Sequence, residues 1–378
     1  MTDAAVYIHI PFCARKCAYC DFESYAGRLD RADEYVSRVV GEMRRARAEY
    51  GLLGVPSVYI GGGTPSLLDL RQISALFRGI EENFSLKGDA EISMEANPGT
   101  VTRGSLRGIR QAGVNRLSFG AQAAQDGLLQ TLGRIHRWAD VENAAEWARD
   151  AGIFNYNIDL MYALPGQRAE DFEETLARAL LLDPKHISCY SLILEPGTPL
   201  AARAERGEIA VPDDDAAIGM QRLAQRMAGA RGLMRYEISN YALPGFECRH
   251  NVAYWTRRNY LGFGCAAHSF MNGERFSNPS FDAYMRGEGR ENAEFVSREG
   301  AMEETVMLET RMTRGLSLAD FQNSFGAEDA RRLLDGAKAL AKIGLVRVEN
   351  GFLFLTDEGL DVQNAVVLSL AEALNRGR

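Results

Sequence analysis

The chain has 378 residues, of which 46% are hydrophobic and 25% charged, a composition typical of a globular protein with one large core and a smaller appended domain. Its formal net charge of -8 disfavours a nucleic-acid partner, because such a partner requires a basic surface that neutralises phosphates. The sequence has no apolar run as long as a membrane span and no secretory signal pattern at its start, so we expect no membrane span and a cytoplasmic location.

The first two thirds of the chain have the pattern of repeated βα units. Short β-branched or aromatic runs alternate with amphipathic segments of helical periodicity, which predicts helices around a parallel sheet. The six predicted strands are residues 6–10, 57–60, 91–95, 116–119, 156–160 and 187–193. The predicted fold class is therefore α/β, with a partial (βα)6 barrel over residues 1–240.

The last third of the chain has a different pattern. Residues 302–312 and 327–343 have helical periodicity, and residues 345–355 alternate in polarity around an Asn-Gly turn, which predicts a hairpin. Two helices followed by a hairpin are typical of a winged-helix-like domain. We expect such an α+β domain over residues 291–378, preceded by a connecting segment over residues 241–290.

Three cysteines lie close together after the first predicted strand. Cys13, Cys17 and Cys20 have the spacing C-x3-C-x2-C, with which three thiolates can bind three irons of a [4Fe-4S] cluster and leave the fourth iron open. A structural zinc site is the alternative, with His9 as the nearest further ligand, but the triplet lacks a second ligand pair. Of the scattered cysteines, Cys189 is interpreted as a small buried hydrophobic residue.

Further polar residues and glycines follow the other predicted strands. Because loops after parallel strands share one rim of a barrel, we expect the run Gly61–Thr64 to lie near Glu95, Gln122 and Asp159. The glycines allow a ligand to approach the backbone, and the polar side chains, with Arg134, can bind hydroxyl, ammonium or carboxylate groups. The sequence therefore predicts a ligand site at the mouth of the barrel.

With this cysteine loop, residues 6–240 resemble the radical S-adenosylmethionine superfamily, and the whole chain resembles its coproporphyrinogen III oxidase-like branch. The resemblance implies that S-adenosylmethionine binds the open iron, and that its reductive cleavage, fed by a reductant such as a flavodoxin or ferredoxin, yields a 5′-deoxyadenosyl radical. The residues implied to contact S-adenosylmethionine are Tyr7, Tyr19, Gly62, Gly63, Thr64, Glu95, Gln122, Arg134 and Asp159.

Two kinds of protein occur in this branch, and two features distinguish them. The decarboxylases of coproporphyrinogen III carry a further cysteine two residues after the triplet, where this chain has Phe22. Residues 250–255, His-Asn-Val-Ala-Tyr-Trp, match the H-N-x-x-Y-W motif of the HemW-type haem chaperones, which bind haem and transfer it to an acceptor protein. The resemblance therefore favours a haem chaperone on a radical S-adenosylmethionine scaffold.

The motif also has a physical interpretation as a haem site. The imidazole of His250 can bind iron, and Tyr254 and Trp255 offer flat apolar faces to a macrocycle. His268 is a second candidate for the iron or the pocket. The arginines that could neutralise haem propionates are Arg249, Arg257 and Arg258.

Three alternatives remain open. The pattern C-x-H at Cys248 and C-x2-H at Cys265 could hold zinc. The chain could instead be an enzyme that decarboxylates coproporphyrinogen III by a radical mechanism, since the cluster loop is intact. The C-terminal domain could bind DNA in response to iron or redox state, although the acidic chain argues against this hypothesis.

Overall fold

The structure is a computed structural model that describes residues 2–375, and it divides the chain into two compact units. The first unit comprises the residues up to Met234 together with Tyr241–His250 and Asn259–Glu294. The second comprises Arg235–Asn240, Asn251–Arg258 and the residues from Phe295 onward.

Six parallel strands form the centre of the first unit. They are β1 (Ala5–Ile10), β2 (Gly54–Gly62), β3 (Ser85–Ala96), β4 (Arg116–Gln122), β5 (Asn155–Tyr162) and β6 (His186–Ser191). Consecutive strands pair in parallel from β1 to β6. The predicted (βα)6 core is therefore confirmed, with β2 and β3 longer than expected at their amino ends.

Helices follow the strands in chain order; the longer ones bury one face in the main core, and the two shorter ones bury Leu129 and Leu200 in a separate small cluster. The longer ones are Ala32–Tyr50, Leu70–Asn83, Arg103–Ala112, Trp138–Asp150, Ala169–Leu181 and Asp214–Gly229, and the shorter ones are Asp126–Thr131 and Pro199–Glu205. In the first helix Tyr35, Val39 and Met43 are fully buried, as their spacing of four residues requires of one helix face. A capping box at Asp69 begins the second helix.

The sheet continues beyond β1 into strands that the sequence analysis did not predict. Tyr260–Phe263 pairs in parallel with β1, and His268–Met271 and Glu274–Ser277 follow as an antiparallel hairpin. Glu291–Phe295 comes next in the sheet order. The hairpin turns at Asn272 and Gly273, both with positive φ, so the Asn-Gly pair was the overlooked signal. The chain also has the short strands Met234–Arg235 and Asn240–Ala242.

The second unit contains helices and a small antiparallel sheet around its own core. The helices are Arg298–Glu309, Leu318–Phe325, Ala327–Lys342, Asp357–Asp361 and Gln363–Asn375, and the strands are Leu316–Ser317, Val346–Glu349 and Phe352–Leu355. The predicted hairpin is present, turning at Asn350 and Gly351. The helix predicted at 302–312 begins earlier, because Ser297 caps it by accepting from the Gly300 amide. Within residues 2–375 no helix is long and apolar enough to cross a membrane.

Candidate cofactor site at the strand ends

A pocket of about 420 Å³ lies at the carboxyl ends of the barrel strands. Its lining includes all three clustered cysteines and eight of the nine residues expected to contact S-adenosylmethionine. Those eight are Tyr19, Gly62, Gly63, Thr64, Glu95, Gln122, Arg134 and Asp159. Tyr7 lies outside this lining and packs beneath it, its ring 6.4 Å from that of Tyr59. The expectation that loops after parallel strands bring these residues to one end of the barrel is therefore met.

The three thiols belong to the loop that follows β1, and each has a polar neighbour. Thr64 Oγ1 donates to Cys13 Sγ at 3.6 Å, and Arg134 Nη1 donates to Cys17 Sγ at 3.5 Å. Cys20 Sγ lies 4.0 Å from Ser24 Oγ. Burial raises the pKa of the Cys13 and Cys20 thiols, while hydrogen bonds to the Ser24 hydroxyl oppose this change.

The loop leaves space beside the first thiol. A Cβ at Gly63 would approach Cys13 Sγ to 3.0 Å and the Phe12 carbonyl oxygen to 2.7 Å, so a side chain at this position would enter the cysteine loop. The Gly63 amide donates to the Ile10 carbonyl at 2.8 Å, which holds the glycine run against the end of β1. Three partly exposed thiols in one pocket, with this space beside them, fit a [4Fe-4S] cluster.

The residues proposed for zinc have other partners. His9 Nε2 donates to the Glu23 carbonyl at 2.7 Å, so Nδ1 accepts from the Tyr7 hydroxyl at 3.0 Å. The Cys248 thiol donates to Glu91 at 3.6 Å, and Cys265 accepts from the Tyr35 hydroxyl at 3.5 Å. In the part of the chain that the structure describes, no three His, Cys, Asp or Glu are placed to share one metal ion; thiolates of a cubane bind separate irons and need not converge on one.

Glu95 joins the end of β3 to the glycine run after β2. Its Oε1 accepts from the Tyr59 hydroxyl and its Oε2 from the Gly62 amide, each at 3.0 Å. A Cβ at Gly61 would lie 2.9 Å from Glu95 Oε1, so only glycine leaves room for the carboxylate. Burial, with the nearby Asp159 carboxylate, raises the pKa of Glu95 to about 7.

Asp159 forms the polar floor of the pocket. It accepts from Ser118 Oγ and from Asn157 Nδ2, each at 2.8 Å. Burial raises the pKa of Asp159, whereas these hydrogen bonds and the nearby Arg116 guanidinium act in the opposite direction. An acceptor fixed in this way can bind hydroxyl or ammonium groups of a ligand.

Arg134 also lines the pocket. Its Nη2 donates to the Gly120 carbonyl at 2.5 Å, and its Nε is buried without a hydrogen-bond partner among residues 2–375. A Cβ at Gly120 would approach Arg134 Nη2 to 2.9 Å, so the glycine lets the guanidinium reach the strand. Gln122, with a left-handed φ of 65°, ends β4 beside it. The unused Nε is a donor suited to a carboxylate.

The four residues predicted to contact haem have different surroundings. His250 is 1% exposed and belongs to the first unit, where its Nδ1 lies 3.3 Å from Ser57 Oγ. Tyr254 and Trp255 belong to the second unit, where the Arg311 guanidinium lies 4.3 Å from the centre of the Trp255 ring. His268 is exposed. Since the His250 imidazole is enclosed in this conformation, its binding to haem iron stays a prediction.

Two of the arginines considered for haem propionates have carboxylate partners. Arg249 pairs with Asp89 at 2.9 Å, and Arg257 pairs with Glu304 at 2.8 Å. An incoming propionate would therefore have to compete with these partners for each guanidinium.

The sequence analysis missed the polar interior of the barrel. Arg116, Ser118, Asn157 and His186 are buried on β4 to β6, and the Nδ1 of His186 donates to Asn157 Oδ1 at 2.7 Å. The signal was in the sequence, because polar residues occupy every second position at 116 and 118, at 157 and 159, and at 186 and 188.

Comparisons with known proteins agree with this fold. The family model described as Radical SAM superfamily matches residues 7–179, and the one described as HemN C-terminal domain matches residues 296–362. A solved structure of Escherichia coli, described as coproporphyrinogen III oxidase (HemN) and a radical SAM enzyme, covers 99% of this chain and 90% of its own, with a TM-score of 0.84 and 24% identity. The fold is that of a radical S-adenosylmethionine protein.

Curated relatives narrow the family further. A Bacillus subtilis protein described as heme chaperone HemW is 36% identical over 374 residues, which is 96% of this chain and 97% of the relative. An Escherichia coli protein with the same description is 40% identical over 266 residues, or 70% of this chain and 69% of the relative. The chain therefore belongs to the HemW family within the radical S-adenosylmethionine superfamily.

Proposed function

We propose that this protein is a cytoplasmic haem chaperone that binds a [4Fe-4S] cluster, S-adenosylmethionine and haem, and transfers the haem to an acceptor protein. The observation that carries this proposal is Phe22. Its side chain is 60% exposed and lines the cofactor pocket, at the position where the decarboxylases of the branch carry a thiol. The HemW relatives support the same conclusion over most of the chain.

The residues of the pocket have separate roles in this proposal. Cys13, Cys17 and Cys20 hold the cluster, which when bound supplies an open iron and an electron to S-adenosylmethionine. The glycine run leaves the space in which a ligand reaches the backbone. Glu95 and Asp159 accept hydrogen bonds from ammonium or hydroxyl groups, and the unused Nε of Arg134 donates to a carboxylate. A flavodoxin or ferredoxin is the proposed reductant.

The haem contacts rest on the motif at residues 250–255 and on His268. His268 is accessible to haem iron as the chain stands, since it is exposed at the start of its strand. The enclosed imidazole of His250 would first have to leave the barrel interior. Tyr254 and Trp255 offer partly exposed aromatic rings to the macrocycle.

Oxygen-free reconstitution tests the proposal against the decarboxylase alternative. Haem and coproporphyrinogen III are offered in parallel to the reconstituted protein with S-adenosylmethionine and a reductant, and products are followed by mass. We expect haem to stay bound to the protein and coproporphyrinogen III to be recovered unchanged. A vinyl product would show that the protein is a decarboxylase instead.

A further inference from the structure

We infer that His250 is a positioning residue for the S-adenosylmethionine pocket: its ring supports Tyr59, which holds the Glu95 carboxylate against the Gly62 amide. This role rests on the part of the proposed function that places S-adenosylmethionine in the pocket, and it is independent of haem. It assigns to the motif histidine a task that its buried position allows without rearrangement.

The ring of His250 is in direct contact with the ring of Tyr59. The imidazole of His250 stacks on Tyr59, with ring centroids 5.3 Å apart and planes inclined by 28°. The ring of Tyr7 completes a cluster of three, 6.4 Å from Tyr59 and 6.2 Å from His250. Stacked rings at such distances stabilise one another beyond the area they bury.

Tyr59 is connected to the glycine run through the Glu95 carboxylate. The Tyr59 hydroxyl donates to one oxygen of Glu95, and the other oxygen accepts from the Gly62 amide, each at 3.0 Å. A Cβ at Gly62 would meet the ring of His9 at 2.5 Å, so the glycine is enclosed on its other side too. A displaced Tyr59 would release a carboxylate that lines the pocket.

A hydrogen bond next to His250 in the chain holds its ring in place. The helix Arg249–Trp255 is tied at its start to β3, because the Arg249 amide donates to Glu91 Oε1 at 3.1 Å. Glu91 and Glu95 lie four residues apart on β3, hence on one face of the strand. The same strand therefore fixes where His250 enters the barrel and carries the carboxylate that the histidine positions.

The state of the imidazole is consistent with this role. Burial, together with the nearby Arg116 guanidinium, lowers the pKa of His250 to about 3. The ring is therefore neutral at physiological pH and adds no second buried cation beside Arg116. A neutral ring that is hydrogen-bonded to Ser57 suits a packing role.

Two substitutions test separately what the aromatic ring of His250 and what its polar nitrogen atoms contribute. His250→Phe keeps a flat ring beside Tyr59, whereas His250→Asn keeps a polar group near Ser57 and removes the ring. The dissociation constant of S-adenosylmethionine is measured on oxygen-free reconstituted protein by equilibrium dialysis without haem, alongside iron content and the thermal midpoint. Phe354→Asn is the matched control, because it removes a ring from an aromatic pair in the second unit.

We expect His250→Asn to weaken S-adenosylmethionine binding by up to about tenfold, and His250→Phe and Phe354→Asn to bind as the unchanged chain does. The positioning role is refuted if His250→Asn binds as tightly as the unchanged chain, or if His250→Phe loses as much affinity as His250→Asn. If the unchanged chain itself fails to bind S-adenosylmethionine, the proposed function is wrong in that part. If the unchanged chain binds S-adenosylmethionine and the His250 variants do not differ from each other, only the positioning role is refuted.

Discussion

At the scale of single residues, the pocket depends on glycines, which leave space, as much as on the polar side chains that line it. Gly61, Gly63 and Gly120 each lie where a Cβ would approach a functional atom to 3.0 Å or less. Sequence reasoning predicted an open approach to the backbone at the glycine run. It could not predict that the glycines also make room for Glu95, Cys13 and Arg134, because that requires neighbours distant in the chain.

The thiols are tested by matched alanine substitutions. Cys17→Ala removes one cluster ligand, so we expect the iron and sulfide content after oxygen-free reconstitution to fall to near zero. Cys189→Ala, a change at a buried cysteine on β6, is expected to keep the full content. The cluster assignment is wrong if the Cys17 variant assembles iron and sulfide as the unchanged chain does, or if the unchanged chain takes up only zinc.

The glycine run is tested by adding one methyl group. Gly63→Ala places a Cβ 2.7 Å from the Phe12 carbonyl oxygen, so we expect a loss of about 1–3 kcal/mol in the free energy of unfolding and a lower iron content. Gly219→Ala, in the exposed middle of the helix Asp214–Gly229 with no heavy atom within 4 Å, is expected to stabilise by up to about 1 kcal/mol. Equal effects of the two changes on urea unfolding would contradict the steric explanation.

The carboxyl group of Glu95 predicts a pH dependence of stability. Its pKa is about 7 in the folded chain against an ordinary value of 4.5. Between these values the folded chain keeps a proton that the unfolded chain has lost, so the free energy of unfolding falls as pH rises, by about 3 kcal/mol in total. Glu95→Gln lacks this proton exchange.

Urea unfolding at pH 5 and pH 8, without S-adenosylmethionine, measures this effect. We expect the unchanged chain to lose about 2.5 kcal/mol more than Glu95→Gln between the two pH values, because part of the total effect lies below pH 5. If both chains lose the same amount, the raised pKa of Glu95 is refuted.

At the scale of elements, chain order and residue period explain which predictions succeeded. β1 to β6 were each predicted from a short run of β-branched or aromatic residues. The pocket residues were predicted to lie together because they follow the carboxyl ends of these strands. The strands from Tyr260 to Phe295 were missed because they are short and separated by glycines. The first of them, Tyr260–Phe263, pairs with β1, a partner more than 200 residues away that no local pattern reveals.

The second unit has its own core, which a pair of phenylalanine substitutions tests. Phe321, in the helix Leu318–Phe325, is 2% exposed, whereas Phe295 is 78% exposed. We expect Phe321→Ala to reduce the free energy of unfolding by about 3–5 kcal/mol and Phe295→Ala to change it by less than about 0.5 kcal/mol. Chemical denaturation checks both, and a comparable loss for the two variants would show that Phe321 does not belong to a core of the second unit.

At the scale of the whole molecule, the chain forms two compact units. The first unit carries the cysteines and the polar pocket, and residues 7–179 match the radical S-adenosylmethionine superfamily. The motif at residues 250–255, from which haem binding is predicted, is divided between the two units. His250 belongs to the first unit, and Tyr254 and Trp255 belong to the second. Sequence reasoning could not foresee this division, because the six residues are consecutive and form one helix.

Haem titration of the reconstituted chain under oxygen-free conditions measures whether the protein is a haem chaperone. We expect saturable binding that ends at one haem per chain, followed by transfer when a haem-free acceptor protein is added. Binding that never saturates, or haem that is lost as readily as from a protein without a haem site, would show that it is not.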